Sequence, residues 1–331
     1  MKKLTLILMA ALLVTAVGSC KKDKDNDNDE NDNTTTITTN DGVFNPSKKI
    51  YKYFYWDEWN EEKRLNEVWH WEGKRLSSID HMNWDGTIDR TEYFTYDNNR
   101  LARVDYGNSY TEFHYSDGRL NKVYEYYNYE LETEFSFSYG SNGKVDVISG
   151  KYYDFKKESR GTLSPLNLIL PKQFVESIEQ NRERRETKRG SKEDGMETFT
   201  AKLTWNGDNI SKYEIEDEYS EDEFYEIVTV QMIVSYDNKH NPIQGFMNRS
   251  FPGEYFNNVC GCYSRNNMTQ FTYTEHEMEY ENGVLESDHS STHEGSITYR
   301  YDDDDYPIVV TQNESTSYGS TYTDKYYFEY L

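Results

Sequence analysis

A hairpin-like sequence unit recurs along this chain, and it limits the possible fold more than any other feature. Each unit has an aromatic residue, two to four turn-forming residues, an Arg, Lys or Asn, and then an aliphatic residue. Copies begin at Trp71, Tyr96, Tyr115, Tyr139, Trp205, Tyr236, Tyr280 and Tyr301. Asp-Asn, Asp-Gly and Asn-Gly pairs supply the positive φ that tight turns between antiparallel strands need. A motif repeated at this spacing indicates a repeat architecture.

The residues between the turns alternate as half-buried β-strands do. Within 134–139, 199–205 and 228–236, apolar or aromatic residues take every second position and polar residues take most of the others. We therefore predict one all-β domain over residues 46–331, a long antiparallel meander of repeated hairpins curled into a barrel-like or half-barrel sheet. The outward positions are Glu, Thr, Ser, Lys and Asp, whereas a membrane barrel needs a continuous apolar outward band. We therefore expect water around this sheet.

One interruption of the repeat pattern covers residues 164–195. Pro165 and Pro171 exclude a regular strand, and apolar residues at helical spacing follow, so we predict a short helical or loop insertion near 164–195. Its basic cluster at 182–189 is either a docking patch for an acidic partner or glycan, or a solvated loop that pairs with the acidic surface of the protein itself. The second interpretation is favoured because charge runs are usually solvated.

A second interruption, residues 241–267, is a long excursion that contains Cys260 and Cys262. These cysteines are either a redox or soft-metal site, or two thiols or one local bridge in a loop. A bridge between residues two apart would be strained. No nearby His or second Cys pair completes a metal set, which favours the loop interpretation.

The first 20 residues have the three-part layout of a secretory signal. Lys2 and Lys3 precede an apolar run at 4–17, and small residues stand directly before Cys20. The run is too short for a stable membrane span. This layout resembles the bacterial lipoprotein signal, and the resemblance implies cleavage before Cys20, lipidation of that residue and attachment to a membrane through its acyl chains. The alternative is an ordinary signal peptide with a chance Cys.

A charged tract follows Cys20. Residues 21–33 contain no apolar residue, so we predict that 20–45 is a lipidated Cys with a disordered acidic tether, placed between a signal peptide at 1–19 and the β domain at 46–331. A charged run in this place resembles the export signal of surface-exposed lipoproteins in Bacteroidota. The resemblance implies an outer-membrane, cell-surface location, with a periplasm-facing spacer as the alternative.

Two copies of the repeat resemble a known sequence repeat. Residues 93–101 (YFTYDNNRL) and 113–120 (FHYSDGRL) are similar to the YD/RHS-type pattern Y-x-Y-D-x-x-G-R-L, with Asn99 in place of the Gly and Ser116 shifting the Asp. Together with the leader, the chain resembles uncharacterised Bacteroidota surface lipoproteins assigned a porin-like β fold. That family offers no catalytic residues to transfer. The toxin-enclosing role of large RHS proteins does not carry over, because no toxin-like domain is present.

Charge and motifs limit the function. The chain has 36 Lys and Arg against 60 Asp and Glu, a net charge of −24, which disfavours nucleic acid as a partner. It has no G-x-S-x-G, no phosphate-binding glycine loop and no His-Glu-x-x-His motif. We therefore predict a protein without catalysis and without a cofactor. The alternative is a surface polysaccharide hydrolase that uses a pair of carboxylates.

Two polar segments are candidate metal sites. His289 and His293 would form a metal pair on a helix, but DHSSTHEGS has no apolar helical stripe, so we interpret it as a polar hairpin loop. Asp302–Asp305 offers oxygen ligands for calcium, but it lacks the spaced ligands of a calcium loop and occupies a repeat turn. We predict no metal site.

Tryptophans are the best candidates for a binding site. Five of the six lie between residues 56 and 84, namely Trp56, Trp59, Trp69, Trp71 and Trp84. Exposed aromatic patches often mark binding sites, and flat rings stack on sugars. The other interpretation, which is favoured because large aromatics are mostly core, is that these rings pack the first hairpins of the sheet. We predict a lipid-anchored cell-surface protein of binding or structural type, with a glycan or a surface protein as its partner.

Overall fold

A computed structural model describes residues 43–153, 197–221, 224–245, 263–315 and 321–331. The predicted signal peptide, Cys20 and most of the predicted tether lie outside these residues, as do the predicted insertion near 164–195 with its basic cluster, and Cys260 and Cys262. The interpretations of those segments therefore stay predictions. Within the described part of the chain, no helix is long and apolar enough to cross a membrane.

The described residues form sixteen β-strands. Their bounds are β1 Ile50–Asp57, β2 Glu62–Glu72, β3 Arg75–Met82, β4 Ile88–Asp97, β5 Arg100–Tyr106, β6 Ser109–Ser116, β7 Arg119–Tyr127, β8 Glu130–Tyr139, β9 Val145–Tyr152, β10 Glu197–Asn206, β11 Asn209–Glu221, β12 Phe224–Tyr236, β13 Met268–Glu281, β14 Val284–Tyr301, β15 Pro307–Ser315 and β16 Thr321–Tyr330.

The strands close into a barrel. Each strand pairs antiparallel with its neighbours in sequence, and β1 pairs with β16 from Ile50–Tyr330 to Tyr55–Tyr326. The predicted all-β antiparallel meander is confirmed, and of the two predicted shapes the closed barrel is the one observed. Closure leaves no unpaired sheet edge between first and last strand, which limits edge-to-edge association.

The hairpin turns divide between two ends of the barrel. The turns that follow Trp71, Tyr96, Tyr115, Tyr139, Trp205, Tyr236 and Tyr301 connect even-numbered strands to odd-numbered ones, so they share one end, here called the repeat end. The turns at 58–61 and 83–87 belong to the opposite end, here called the far end. The unit at Tyr280 also turns at the far end, because it joins β13 to β14.

The interior of the barrel is the hydrophobic core. Phe135, Phe137 and Ala201 are buried, whereas Ser138 and Thr200, on the same strands, are exposed on the outer surface. A membrane barrel has the opposite arrangement, with apolar residues facing lipid and polar residues facing the lumen. The apolar side chains of the described strands therefore pack against one another inside the barrel.

Five of the eight repeat aromatics donate a hydrogen bond to a backbone carbonyl of the segment that precedes their own unit. The Tyr115 hydroxyl donates a 2.7 Å hydrogen bond to the carbonyl of Leu101, and the Arg100 guanidinium lies 5.6 Å from the Tyr115 ring centre. The same carbonyl contact is made by Trp71 to Ile50, Tyr96 to Leu76, Tyr139 to Leu120 and Trp205 to Val145. The aromatic residue of one unit therefore contacts the cationic and aliphatic residues of the preceding segment, which links consecutive hairpins.

Removing one of these hydroxyls should destabilise the barrel. We expect Tyr115→Phe to lower the free energy of unfolding by about 1 kcal/mol, because the Leu101 carbonyl loses its side-chain donor. Urea denaturation measures the change. Tyr93→Phe is the control, since the Tyr93 side chain is 59% exposed on the outer surface. Equal stability of the two variants would contradict a role for the hydroxyl.

Candidate functional site

A pocket of about 480 Å³ opens at the far end of the barrel. Its walls come from β1, β2 and β16 and from the hairpin that joins β3 to β4. Its lining side chains include Tyr55, Trp56, Arg64, Asn83, Trp84 and Tyr326. We call this space the far-end pocket.

The far-end pocket lies where the barrel's closing strands separate. The pairing of β1 with β16 stops at Tyr55–Tyr326, although β1 continues to Asp57 and β16 begins at Thr321. A register shift between Tyr53 and Phe54 also inserts an extra residue into β2 at this level. Bulges bend a strand and interrupt its ladder, so the wall opens here rather than staying flat.

Arg64 organises the rim of the pocket. Its Nε lies 2.7 Å from Asp57 Oδ2, and its Nη2 lies 3.0 Å from Glu62 Oε1. The guanidinium lies 4.8 Å from the centre of the Trp84 ring, and Trp84 meets the Tyr55 ring edge-on at 6.0 Å. A hydrogen bond from the Asn60 side chain lowers the pKa of Asp57 below its ordinary value, so this carboxylate stays charged beside Arg64.

The structure divides the tryptophan cluster between core and surface. Trp69 is buried inside the barrel, and Trp71 packs against the core and donates to the Ile50 carbonyl. Trp84 is 73% exposed at the pocket rim, and Trp59 is 96% exposed at the β1–β2 turn. Trp56 is half-buried and lines the pocket. The packing alternative therefore describes two of the five rings, while two others line the pocket.

A buried polar cluster lies beside the pocket. Glu67, His81 and Glu92 point into the barrel from β2, β3 and β4, and Glu67 and Glu92 have no exposed surface. His81 Nε2 lies 3.0 Å from Glu92 Oε1, and His81 Nδ1 lies 3.7 Å from Glu67 Oε1. The indole of Trp69 donates a 2.9 Å hydrogen bond to Glu67 Oε2. Burial raises the pKa of Glu67 to about 7.

Sequence reasoning missed this cluster, although a signal for it was present. Alternation along β2 places Glu67 on the same face as Trp69, and alternation along β3 places His81 on the same face as Ile79. An acid and a histidine at inward positions of adjacent strands therefore mark a polar site inside the barrel.

The two predicted metal candidates have other surroundings. DHSSTHEGS is part of β14 rather than the predicted hairpin loop, and His289 lies opposite Glu277 in the ladder. Glu277 also has carboxylate oxygens within 4.8 Å of Glu226 and Glu279. Three acids this close are not sufficient to assign a metal, and we assign none.

The acidic turn at 302–305 forms ion pairs with two lysines. Lys48 Nζ lies 2.7 Å from Asp302 and 2.6 Å from Asp304, while Lys239 Nζ lies 2.7 Å from Asp305. Asp302 also accepts hydrogen bonds from the backbone of Asp304 and Tyr306. These contacts are those of a solvated repeat turn.

No protein-family model matches the chain, and no curated protein matches it. Among solved structures, the chain is similar to a porin-like protein from Bacteroides uniformis, with a TM-score of 0.47, 10% identity, and coverage of 88% of this chain and 99% of that one. It is also similar to a porin-like protein from Bacteroides vulgatus, with a TM-score of 0.29, 10% identity, and coverage of 86% and 99%. The resemblance to YD/RHS repeats and to lipoproteins therefore stays a prediction.

Proposed function

We propose that this protein is a non-catalytic binding protein that holds a saccharide in the far-end pocket. Sugar rings have apolar C–H faces and a hydroxyl periphery, so their sites combine aromatic faces with a few hydrogen-bonding groups. The pocket offers both, with Tyr55, Trp84 and Tyr326 beside Arg64 and Asn83. Its volume of about 480 Å³ lies within the usual range for small-ligand sites.

The single observation that carries this proposal is the placement of Trp84. Its large ring is mostly exposed, yet it is oriented by the guanidinium of Arg64 and the ring of Tyr55. Arg64 is in turn fixed by Asp57 and Glu62. An exposed aromatic that is oriented before binding loses little freedom when a ligand stacks on it, which favours affinity.

The charges around Arg64 favour binding over hydrolysis. A glycoside hydrolase needs one carboxylic acid that donates a proton and a second carboxylate that acts as nucleophile or base. Asp57 and Glu62 are instead ion-paired with Arg64, and the pKa of Asp57 is lowered rather than raised. These two acids therefore suit a structural role at the rim.

The binding proposal predicts a large effect of Trp84. We expect Trp84→Ala to weaken saccharide binding by about tenfold, which corresponds to about 1.4 kcal/mol, because the stacking face is lost. A glycan array screened with the chain from Cys20 onward, carrying Cys20→Ser, identifies the ligand, and isothermal titration calorimetry then measures the affinity.

The matched control is Trp59→Ala, which removes an exposed indole at a neighbouring turn that does not line the pocket. Its affinity should equal that of the wild type. Binding by Trp84→Ala that equals the wild type, or an array without any bound glycan, would remove the proposal.

We further propose that Cys20 anchors the protein by lipid to the outer membrane, facing the cell surface, with the barrel in water. The leader sequence and the polar outer surface of the described strands support this. Cys20→Ser should release the protein from the membrane fraction and abolish labelling by radioactive palmitate. Retention of the label in Cys20→Ser would contradict the anchor, and protection of the wild type from protease added to intact cells would contradict surface exposure.

A further inference from the structure

We propose that the Glu67–His81–Glu92 cluster is a proton-operated switch that regulates the far-end pocket. The regulatory part rests on the proposed saccharide site, whereas the titration of the cluster does not. The proposed regulation is that the pocket holds its ligand more tightly when Glu67 carries a proton.

The first support is that the cluster is isolated from solvent. His81 is 3% exposed, and both flanking glutamates are fully buried. A buried carboxylate is unfavourable unless it is paired, and here one histidine lies between two acids. A second negative charge in this cluster is therefore energetically costly, because a buried carboxylate lacks the solvation that water gives to an exposed one.

Every strand packed around Glu67 contributes a group that affects it. Tyr53 faces it from β1, the Trp69 indole donates to it within β2, and His81 faces it from β3. From β4, the charge of Glu92 raises the pKa of Glu67 and that of Arg90 lowers it. Burial is the largest effect, and the resulting pKa of about 7 places the proton exchange near neutral pH.

The second support is that the cluster and the pocket share two strands. Asn66 directly precedes Glu67 and Met82 directly follows His81, and both Asn66 and Met82 line the pocket. Register shifts interrupt the ladders on either side of this strand pair, the β1–β2 ladder between Tyr53 and Phe54 and the β3–β4 ladder between His81 and Met82. These two ladders are already interrupted there, so a small movement of the β2–β3 pair against β1 and β4 meets less resistance.

The direction of regulation follows from the charges. With Glu67 protonated, Glu67 carries no negative charge that could repel Glu92 across His81. With Glu67 ionised, two buried carboxylates share His81, and their repulsion is strong at low dielectric. Movement of the β2–β3 pair away from Glu92 on β4, with entry of water, relieves it. That movement displaces Asn66 and Met82 and so reshapes the pocket wall.

The titration is tested without any ligand by nuclear magnetic resonance. In the wild-type chain from Cys20 onward, the indole N–H of Trp69 donates to Glu67, so its resonance should shift with pH with a midpoint near 7. The indole of Trp71 donates to the Ile50 carbonyl and serves as the internal control. A Trp69 resonance that stays fixed between about pH 5 and about pH 9 would overturn the switch.

The regulation is tested by saccharide affinity at about pH 6 and about pH 8. We expect about fivefold weaker binding at the higher pH in the wild type and no such difference in Glu67→Gln. Glu125→Gln removes another buried acid, on β7 rather than beside the pocket, and should keep the wild-type pH dependence.

The two proposals fail in different ways. If the Trp69 resonance shifts with pH but the protein binds no saccharide, the protonation site is supported and the ligand proposal is removed. A saccharide bound equally well at both pH values would overturn the regulation and leave the binding function standing.

Discussion

Replacing Gly150 with alanine is expected to lower the free energy of unfolding by about 3 kcal/mol, the upper part of the range for an overpacked core. Gly150 lies on β9, opposite Phe135 on β8 and Phe199 on β10. A Cβ at this position would overlap the ring of Phe199, well inside van der Waals contact. The Phe135 and Phe199 rings lie 6.0 Å apart, so Phe199 lies across the space that glycine leaves open.

Urea denaturation measures this change, and Ser149→Ala is the matched control. Ser149 is the adjacent residue of the same strand and lies on the polar outer face, so its loss should change stability by less than about 0.5 kcal/mol. Combining Gly150→Ala with Phe199→Leu should recover part of the loss. If Gly150→Ala is as stable as Ser149→Ala, the position of the Phe199 ring does not require glycine at residue 150.

The second large effect is a loss of stability with rising pH. The pKa of Glu67 is about 7 in the folded protein, against an ordinary value of 4.5, so the folded state keeps a proton that the unfolded state releases. The contribution of Glu67 is therefore fully present below about pH 4.5 and is lost as the pH rises through 7. The expected loss is about 3 kcal/mol between about pH 5 and about pH 8.

Glu67→Gln should remove this dependence and be the more stable protein at about pH 8. Gln keeps an oxygen that accepts from Trp69 and carries no charge. Carboxyls whose pKa is lowered, such as Asp57, Asp208 and Glu214, lose their contribution only at lower pH, and the comparison with Glu67→Gln assigns the change within this window to Glu67. Parallel stability curves for wild type and Glu67→Gln would contradict the assignment.

The fold was largely predictable because its determinants are local. Turn residues with positive φ, such as Asn98, Asn99 and Gly118, define the hairpins, and alternation defines which face is buried. Closure was not predictable between the two shapes, because the β1–β16 pairing joins Tyr53 to Phe328 across almost the whole domain. No local pattern encodes a contact of that separation.

The site was less predictable because bulges decide which face a side chain occupies. The register shift between Tyr53 and Phe54 places Arg64 opposite Tyr55, although simple counting from Glu67 places Arg64 on the outer face. Trp59 and Trp84 lie in hairpin turns, and the alternation of apolar and polar residues predicts burial in strands but not in turns. The segment 288–296 was misread because its strand is exposed on both faces at many positions, so no apolar alternation marks it.

The most direct test of the binding site is the response of the six tryptophan indoles to a bound saccharide in one nuclear magnetic resonance titration. We expect the indole resonance of Trp84 to move most and that of Trp56 to move with it, since both line the far-end pocket. Trp59, outside the pocket, and Trp205, at the repeat end, should stay in place. Movement of Trp205 without movement of Trp84 would place the ligand elsewhere and contradict the site.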